Sequence, residues 1–215
     1  MLAWDIETTG FSGERDFVTV AALYDGSTET VFRFVRLINE GTVNQKLVYK
    51  EAGEFAKVVE EFCSMLDAAP MLATFNGVRF DIRFVQSALK IPEERVMRWL
   101  LKTFDVFDIC FVVGRTFALN LLLDINGFPS KTGSGDVAVK QAHNGQWADL
   151  ESYCLDDAIL THKVSMMPRI ALPEGYAWRK KHAATCDKSK ILFLVPNYQE
   201  ETNAMRFEFV LEECE

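Results

Sequence analysis

Apolar and polar positions along this chain repeat with two periods, and the switches between them mark out its elements. Met1 to Ile6 is an apolar run interrupted by Asp5, with Glu7 just beyond, and reads as a short, mostly buried strand. Thr8-Thr9-Gly10 ends it and lets the backbone turn sharply. After a polar loop from Ser12 to Asp16, the β-branched and apolar run Phe17 to Tyr24 predicts a second strand. Asp25-Gly26 is a tight-turn pair, and Thr28 to Leu37 resumes with β-forming residues, so three neighbouring strands open the chain and two of them form a hairpin. Residues 38 to 50 read as loop.

The period then changes. From Glu51 to Ala69, Phe55, Val58, Val59, Phe62, Met65 and Leu66 recur at helical spacing, and Pro70 stops this helix before a short buried strand, Met71 to Phe75. Asn76-Gly77 is a turn pair, and Phe80 to Lys90 has helical character, which puts Asp81 in a first helical turn. Residues 91 to 104 predict a connecting helix with Val96, Leu100 and Leu101 apolar. Phe104 to Val113 predicts a strand carrying Asp105 and Asp108, which read as structural or as support behind a site because neither has a motif partner. Phe117 to Ile125 is a helix stopped by Asn126-Gly127, and Ser130 to Gly135 is a polar loop. In Trp147 to Val164, a helical stripe runs through Leu150, Tyr153, Cys154, Asp157, Leu160 and Val164, with Asp156 turned toward solvent. Pro168 and Pro173 end that helix, and Lys190 to Val195 and Ala204 to Glu212 predict two strands. The second alternates Met205, Phe207, Phe209 and Leu211 with Arg206 and Glu208, as a half-buried strand does.

Composition narrows the picture. At 215 residues and 49% hydrophobic, the chain can bury a full core, as one domain or one domain with a small appendage. A net charge of -8 argues against a protein that coats nucleic acid by electrostatics alone, but not against an enzyme that grips a short stretch of phosphate backbone through metal ions. Cys63, Cys110, Cys154, Cys186 and Cys214 form no CxxC pair and are odd in number, which fits free thiols in a reducing compartment. No stretch approaches the ~18 apolar residues of a membrane span, and no basic-then-apolar leader opens the chain, so a soluble intracellular protein without a membrane partner is expected. The densest basic cluster, Trp178 to His182, reads as a solvated helix face rather than a contact for nucleic acid, the other reading its charge allows.

The candidate chemistry lies in acids set among apolar residues. Asp5 and Glu7 have the period-2 spacing that puts them on one face of a strand, where two like charges are costly unless a cation neutralises them. A divalent ion that prefers oxygen, Mg²⁺ or Mn²⁺, suits such a pair. Asp157 interrupts a stripe otherwise built for burial, and Tyr153 lies four residues before it on the same face.

Three motifs occur here in order: Asp-Ile-Glu-Thr-Thr-Gly at residues 5 to 10, Asn-Gly-x-x-Phe-Asp at 76 to 81, and Tyr-x-x-x-Asp at 153 to 157. Together they resemble the DEDD 3′–5′ exonucleases of the ribonuclease H-like superfamily, in the tyrosine subclass, over roughly residues 1 to 167. The text around Tyr153 is most similar to stand-alone relatives of the proofreading domain of family B DNA polymerases. The resemblance implies an α/β fold: a mixed sheet with an antiparallel three-stranded meander plus parallel strands, flanked by helices. The exonuclease domain would span 1–168, and residues 169–215 would form a C-terminal β extension, a hairpin packed on the main domain. It implies that Asp5, Glu7, Asp81 and Asp157 hold two divalent cations, Mg²⁺ or Mn²⁺, with Tyr153 orienting the attacking water. Single-stranded nucleic acid with a free 3′ end, DNA rather than RNA, would be the substrate. Thr8, Gly10, Phe11, Asn76 and Phe80 would hold the terminal nucleotide, and Lys131 is a candidate contact for substrate phosphate. Two alternatives keep the fold: a catalytically silent nucleic-acid or protein-binding module, and a ribonuclease H-like endonuclease.

Overall fold

The structure, a computed structural model of the chain, describes residues 1–40, 44–108, 118–130, 135–167, 170–173, 190–199 and 204–213. In chain order its elements are β1 (Leu2–Thr8), β2 (Val18–Tyr24), β3 (Glu29–Arg33), β4 (Val35–Glu40), β5 (Asn44–Tyr49), α1 (Ala52–Ala68) and β6 (Leu72–Thr74). There follow α2 (Asp81–Ala88), α3 (Glu93–Leu101), β7 (Thr103–Asp105), α4 (Leu119–Ile125), α5 (Gly135–Asn144), α6 (Trp147–Ser165), β8 (Ile170–Pro173), β9 (Lys190–Gln199) and β10 (Ala204–Glu213). They fall into two compact units, one of Met1–Asp105 with Lys131–His162, the other of Val106–Ser130 with Lys163–Glu215.

The first unit is built on a five-stranded sheet in the order β3-β2-β1-β6-β7. β1, β2 and β3 form an antiparallel meander, and β6 and β7 add parallel to β1, so the expected mixed sheet is present. The alternation in β1 sorts its side chains by face. Trp4 turns toward α1, its ring 5.7 Å from that of Phe62, while Asp5 turns toward α6, where Cys154 Sγ donates to the Asp5 carbonyl at 3.4 Å. Under α1, the Phe62 ring meets those of Phe32, Phe34 and Trp99 as well as Trp4, and all five residues are buried. That aromatic cluster is the centre of the core on this face. α3 is fastened to α1 through Asp67, which accepts from Arg95 Nε and Trp99 Nε1 at 2.7 Å each.

α6 lies along the other face and is pinned near both ends. Toward its start, Arg33 Nη2 meets Glu151 Oε1 at 2.7 Å while its guanidinium sits 4.9 Å from the Trp147 ring centroid. Toward its end, the His162 ring meets Tyr24 edge-on with centroids 5.1 Å apart, and packs so close to Gly26 that a Cβ there would lie 3.2 Å from His162 Cε1. The buried stripe is the expected one: Leu150, Tyr153, Cys154, Asp157, Leu160 and Val164 are all buried, and Asp156 is exposed.

Several expectations need correction. Thr28 to Leu37 is two strands, not one. Phe34 is the switch point: its N–H still bonds Thr19 O in register with β2, while its carbonyl accepts from Lys50 N in register with β5, so the chain changes partner there. Residues 38 to 50 are mostly not loop: β4 and β5 pair in an antiparallel ribbon, and Tyr49 packs its ring 4.7 Å from Phe17 and 4.4 Å from Phe55. The strand expected over Phe104 to Val113 ends at Asp105, and its positions from 109 on lie outside the described residues. In α3 the buried residues are Val96 and Trp99, and Leu101 is exposed. α5 and β8 were not foreseen.

In the second unit, Gly127 with φ 73° follows α4 in the left-handed conformation that commonly closes a helix. The Asn126 side chain then holds β8, donating to Ala171 O at 3.0 Å and accepting from Ala171 N at 2.8 Å. β9 and β10 pair along their full lengths, and β8 adds to β9, giving a three-stranded sheet where two strands were expected.

Candidate metal and nuclease site

β1 pairs with β6 over Leu2 and Ala3, while its pairing with β2 continues to Thr8. The half of β1 that carries Asp5 and Glu7 therefore runs past the end of the described β6 pairing. There the turn from Phe75 to Phe80 leaves β6 and starts α2 at Asp81. Functional groups collect at the carboxyl ends of parallel strands for this reason, since the loops that leave those ends converge there.

Asp5 is half-buried, and Glu7, Asp81, Tyr153 and Asp157 are buried. Asp5, Glu7 and Cys154 each place one ligand atom so that all three lie within 4.8 Å of one another. The thiol also donates toward Asp5 Oδ2 at 3.8 Å. Its electrostatic surroundings report on the other two acids. Burial pushes the Cys154 thiol well above its usual range, and the negative charges of Asp5, Glu7, Asp157 and Asp81 push it further in the same direction. One buried thiol thus feels all four carboxylates. The donor set on β1 is oxygen-rich, and the two further acids bring more carboxylate oxygens, which is chemistry suited to a hard divalent cation.

The backbone around these residues is fixed. Thr19 Oγ1 donates to Glu7 O at 2.8 Å just before a β-bulge between Glu7 and Thr8. Thr8 Oγ1 donates to Gly10 O at 2.7 Å. A Cβ at Gly10 would lie 2.5 Å from Asp16 Oδ2, so a larger residue there would push that carboxylate aside. Gly13 packs just as closely on α2, where an added Cβ would meet Ser87 Cβ at 2.8 Å. This brings Phe11, 91% exposed, to Phe80, with ring centroids 6.3 Å apart. Asn76 holds a left-handed conformation, φ 66°, at the turn. Lys131 lies outside the described residues, as does the basic cluster from Trp178 to His182.

Two residues at the site carried no signal as such in the sequence. Cys154 reads as one more core position of an apolar stripe. Asp105 has no motif partner, although it sits at the end of β7 next to the Asn76 turn.

Comparison with known proteins bears on the superfamily and the fold. The RNase_H superfamily profile matches residues 2–123, more than half of the chain. The chain belongs to the RNase_H superfamily. The matched segment holds Asp5, Glu7 and Asp81, whereas Tyr153 and Asp157 lie beyond it on α6. Membership supports nuclease activity. Among solved structures, the family B DNA polymerase from the hyperthermophilic archaeon Pyrobaculum calidifontis aligns at 16% identity and a TM-score of 0.53 over 76% of this chain, and so shares its fold. The chain spans 24% of that polymerase's length. A structure described as the apo form of a nuclease aligns at 20% identity, covering 75% of this chain and 68% of its own, with a TM-score of 0.43 that is too low to establish a shared fold. No curated protein matches the chain. Among the described residues no helix is long and apolar enough to cross a membrane.

Proposed function

We propose that this RNase_H superfamily member is a metal-dependent 3′–5′ exonuclease of the tyrosine DEDD subclass, hydrolysing single-stranded nucleic acid, DNA in preference to RNA, to nucleoside 5′-monophosphates. The observation that carries the proposal is the meeting of Asp5 and Glu7 with Cys154, on the helix whose same buried stripe presents Tyr153 and Asp157. Asp5, Glu7, Asp81 and Asp157 hold two divalent cations, Mg²⁺ or Mn²⁺. Bound there, the cations supply Lewis-acid charge for the scissile phosphate and a bound water of lowered pKa.

The remaining roles belong to the chain. Tyr153, one helical turn before Asp157, orients the attacking water through its hydroxyl. Glu7, near the end of β1, shares in positioning the departing 3′ oxygen. Phe11 and Phe80 offer apolar faces for the terminal base. Asn76 and the Thr8–Gly10 backbone hold the terminal sugar.

The deciding experiment is digestion of 5′-labelled single-stranded DNA and RNA, side by side, with Mn²⁺ or Mg²⁺ and with chelator. A ladder shortening from the 3′ end, lost with chelator and absent on a circularised oligonucleotide, is the expected outcome. Cleavage of the circle would make the chain an endonuclease.

A further inference from the structure

Asp105 takes no part in the chemistry proposed above, yet its side chain has 0% exposure, and a buried carboxylate is retained only where something holds it. It ends β7 directly across from Thr74 of β6. Its two oxygens accept the backbone N–H groups of the turn that leaves β6, Asn76 N at 2.7 Å and Val78 N at 2.9 Å. The Arg79 guanidinium stands 3.9 Å from Oδ2. The turn is constrained from below as well, since a Cβ on Gly77 would fall 2.5 Å from Thr74 Cβ. Its carbonyls then launch α2: Asn76 O accepts from Phe80 N at 3.0 Å, and Gly77 O accepts from Ile82 N at 2.8 Å. Asp81 lies between those two donors.

We propose that Asp105 is a positioning residue for Asp81, its carboxylate clamping the Asn76–Val78 turn so that α2 delivers the Asp81 carboxylate to the cluster around Asp5. The role rests on the nuclease reading above. A carboxylate accepts both N–H groups at once. Asparagine at this position offers one oxygen and turns an NH₂ toward the other donor, so the turn loses one of its two fixed points while the volume is unchanged.

The test compares the full-length chain with Asp105→Asn. Free Mn²⁺ is followed by electron paramagnetic resonance without substrate, and kcat and KM are measured on a single-stranded oligonucleotide. For a folded D105N, half-saturating Mn²⁺ rises and kcat falls, each by ~10–100-fold, with KM unchanged. A folded D105N with wild-type Mn²⁺ uptake overturns the role and leaves the nuclease reading standing. A wild-type chain that takes up no Mn²⁺ overturns both. If D105N does not fold, amide exchange in the wild type decides. Slow exchange at Asn76 and Val78 that slows again with Mn²⁺ supports the clamp, and fast or Mn²⁺-insensitive exchange overturns it.

Discussion

At the scale of single residues, the site behaves as a set of like charges gathered around one thiol. Removing one of those charges relieves repulsion, so Asp157→Asn leaves the metal-free melting temperature unchanged or higher while turnover falls by at least ~10²–10³-fold. Tyr153→Phe, which keeps the ring and deletes the hydroxyl, lowers kcat less and leaves metal uptake intact. His162 is held below its ordinary pKa by burial and by the positive N-terminus of Met1, with Asp25 pulling the other way. Asp25 itself is ionised throughout, kept at about 2 by the N–H groups of Thr28 and Ser27. The unfolded chain therefore takes up the His162 proton before the folded one does. Stability is full above the unfolded value of ~6.5 and drains as pH falls through it toward the folded value. The urea midpoint of the wild type should drop more between about pH 7.5 and about pH 5.5 than that of His162→Gln. An equal drop in both would show that this ring is not responsible.

At the scale of elements, the turn between β6 and α2 is the most closely fitted segment of the site. Gly77→Ala forces a methyl onto the Thr74 side chain, and should destabilise by ~1–3 kcal/mol, measured by chemical denaturation, while lowering activity per folded molecule. The elements that place the acids were legible from strand alternation in one case and from a buried stripe broken by one acid in the other. β1 alternates large apolar residues with Ala3, Asp5 and Glu7, and α6 shows its stripe over four turns or more. The elements missed offer little large apolar surface to read. β4 and β5 form a two-stranded ribbon, so Asn39, Gln45 and Lys46 read as loop. α5 begins at a glycine and buries only Ala138 and Ala142, too little apolar surface to register as a stripe. β8 is four residues ending in proline. The pattern puts Asp105 near the start of a strand from Phe104 to Val113, whereas it ends β7, and the turn that its carboxylate holds is a tertiary contact across 29 residues, invisible to spacing.

For the whole molecule, the proposed cation binding by Asp5, Glu7, Asp81 and Asp157 links ligand binding to folding. At cation concentrations near 100 times Kd, stabilisation is ~2.7 kcal/mol. For a chain of this length that corresponds to a rise of roughly 5–10 °C in melting temperature with Mn²⁺ or Mg²⁺. Asp5→Ala should abolish the rise, and scanning calorimetry with and without the ion checks it. An unmoved wild-type curve would falsify the proposed ligand set. Asp5, Glu7, Asp81, Tyr153 and Asp157 all belong to the first unit, so the transition that moves is the one in which the β1 sheet melts.

Among the described residues, two buried thiols sit in different layers of that unit, Cys63 on α1 under the Trp4 face of β1 and Cys154 on α6 under the Asp5 face. Cys63 is pushed up to about 12 by burial and Cys154 well above its usual range, so neither is an accessible thiolate in the closed state. Alkylation of either one then requires its own layer to lift away. Pulse labelling read by peptide mass therefore times the opening of each layer separately, with no probe engineered in: matched rates mean the unit breathes as one cooperative block, and faster labelling at Cys154 means that the helix over the acids opens alone.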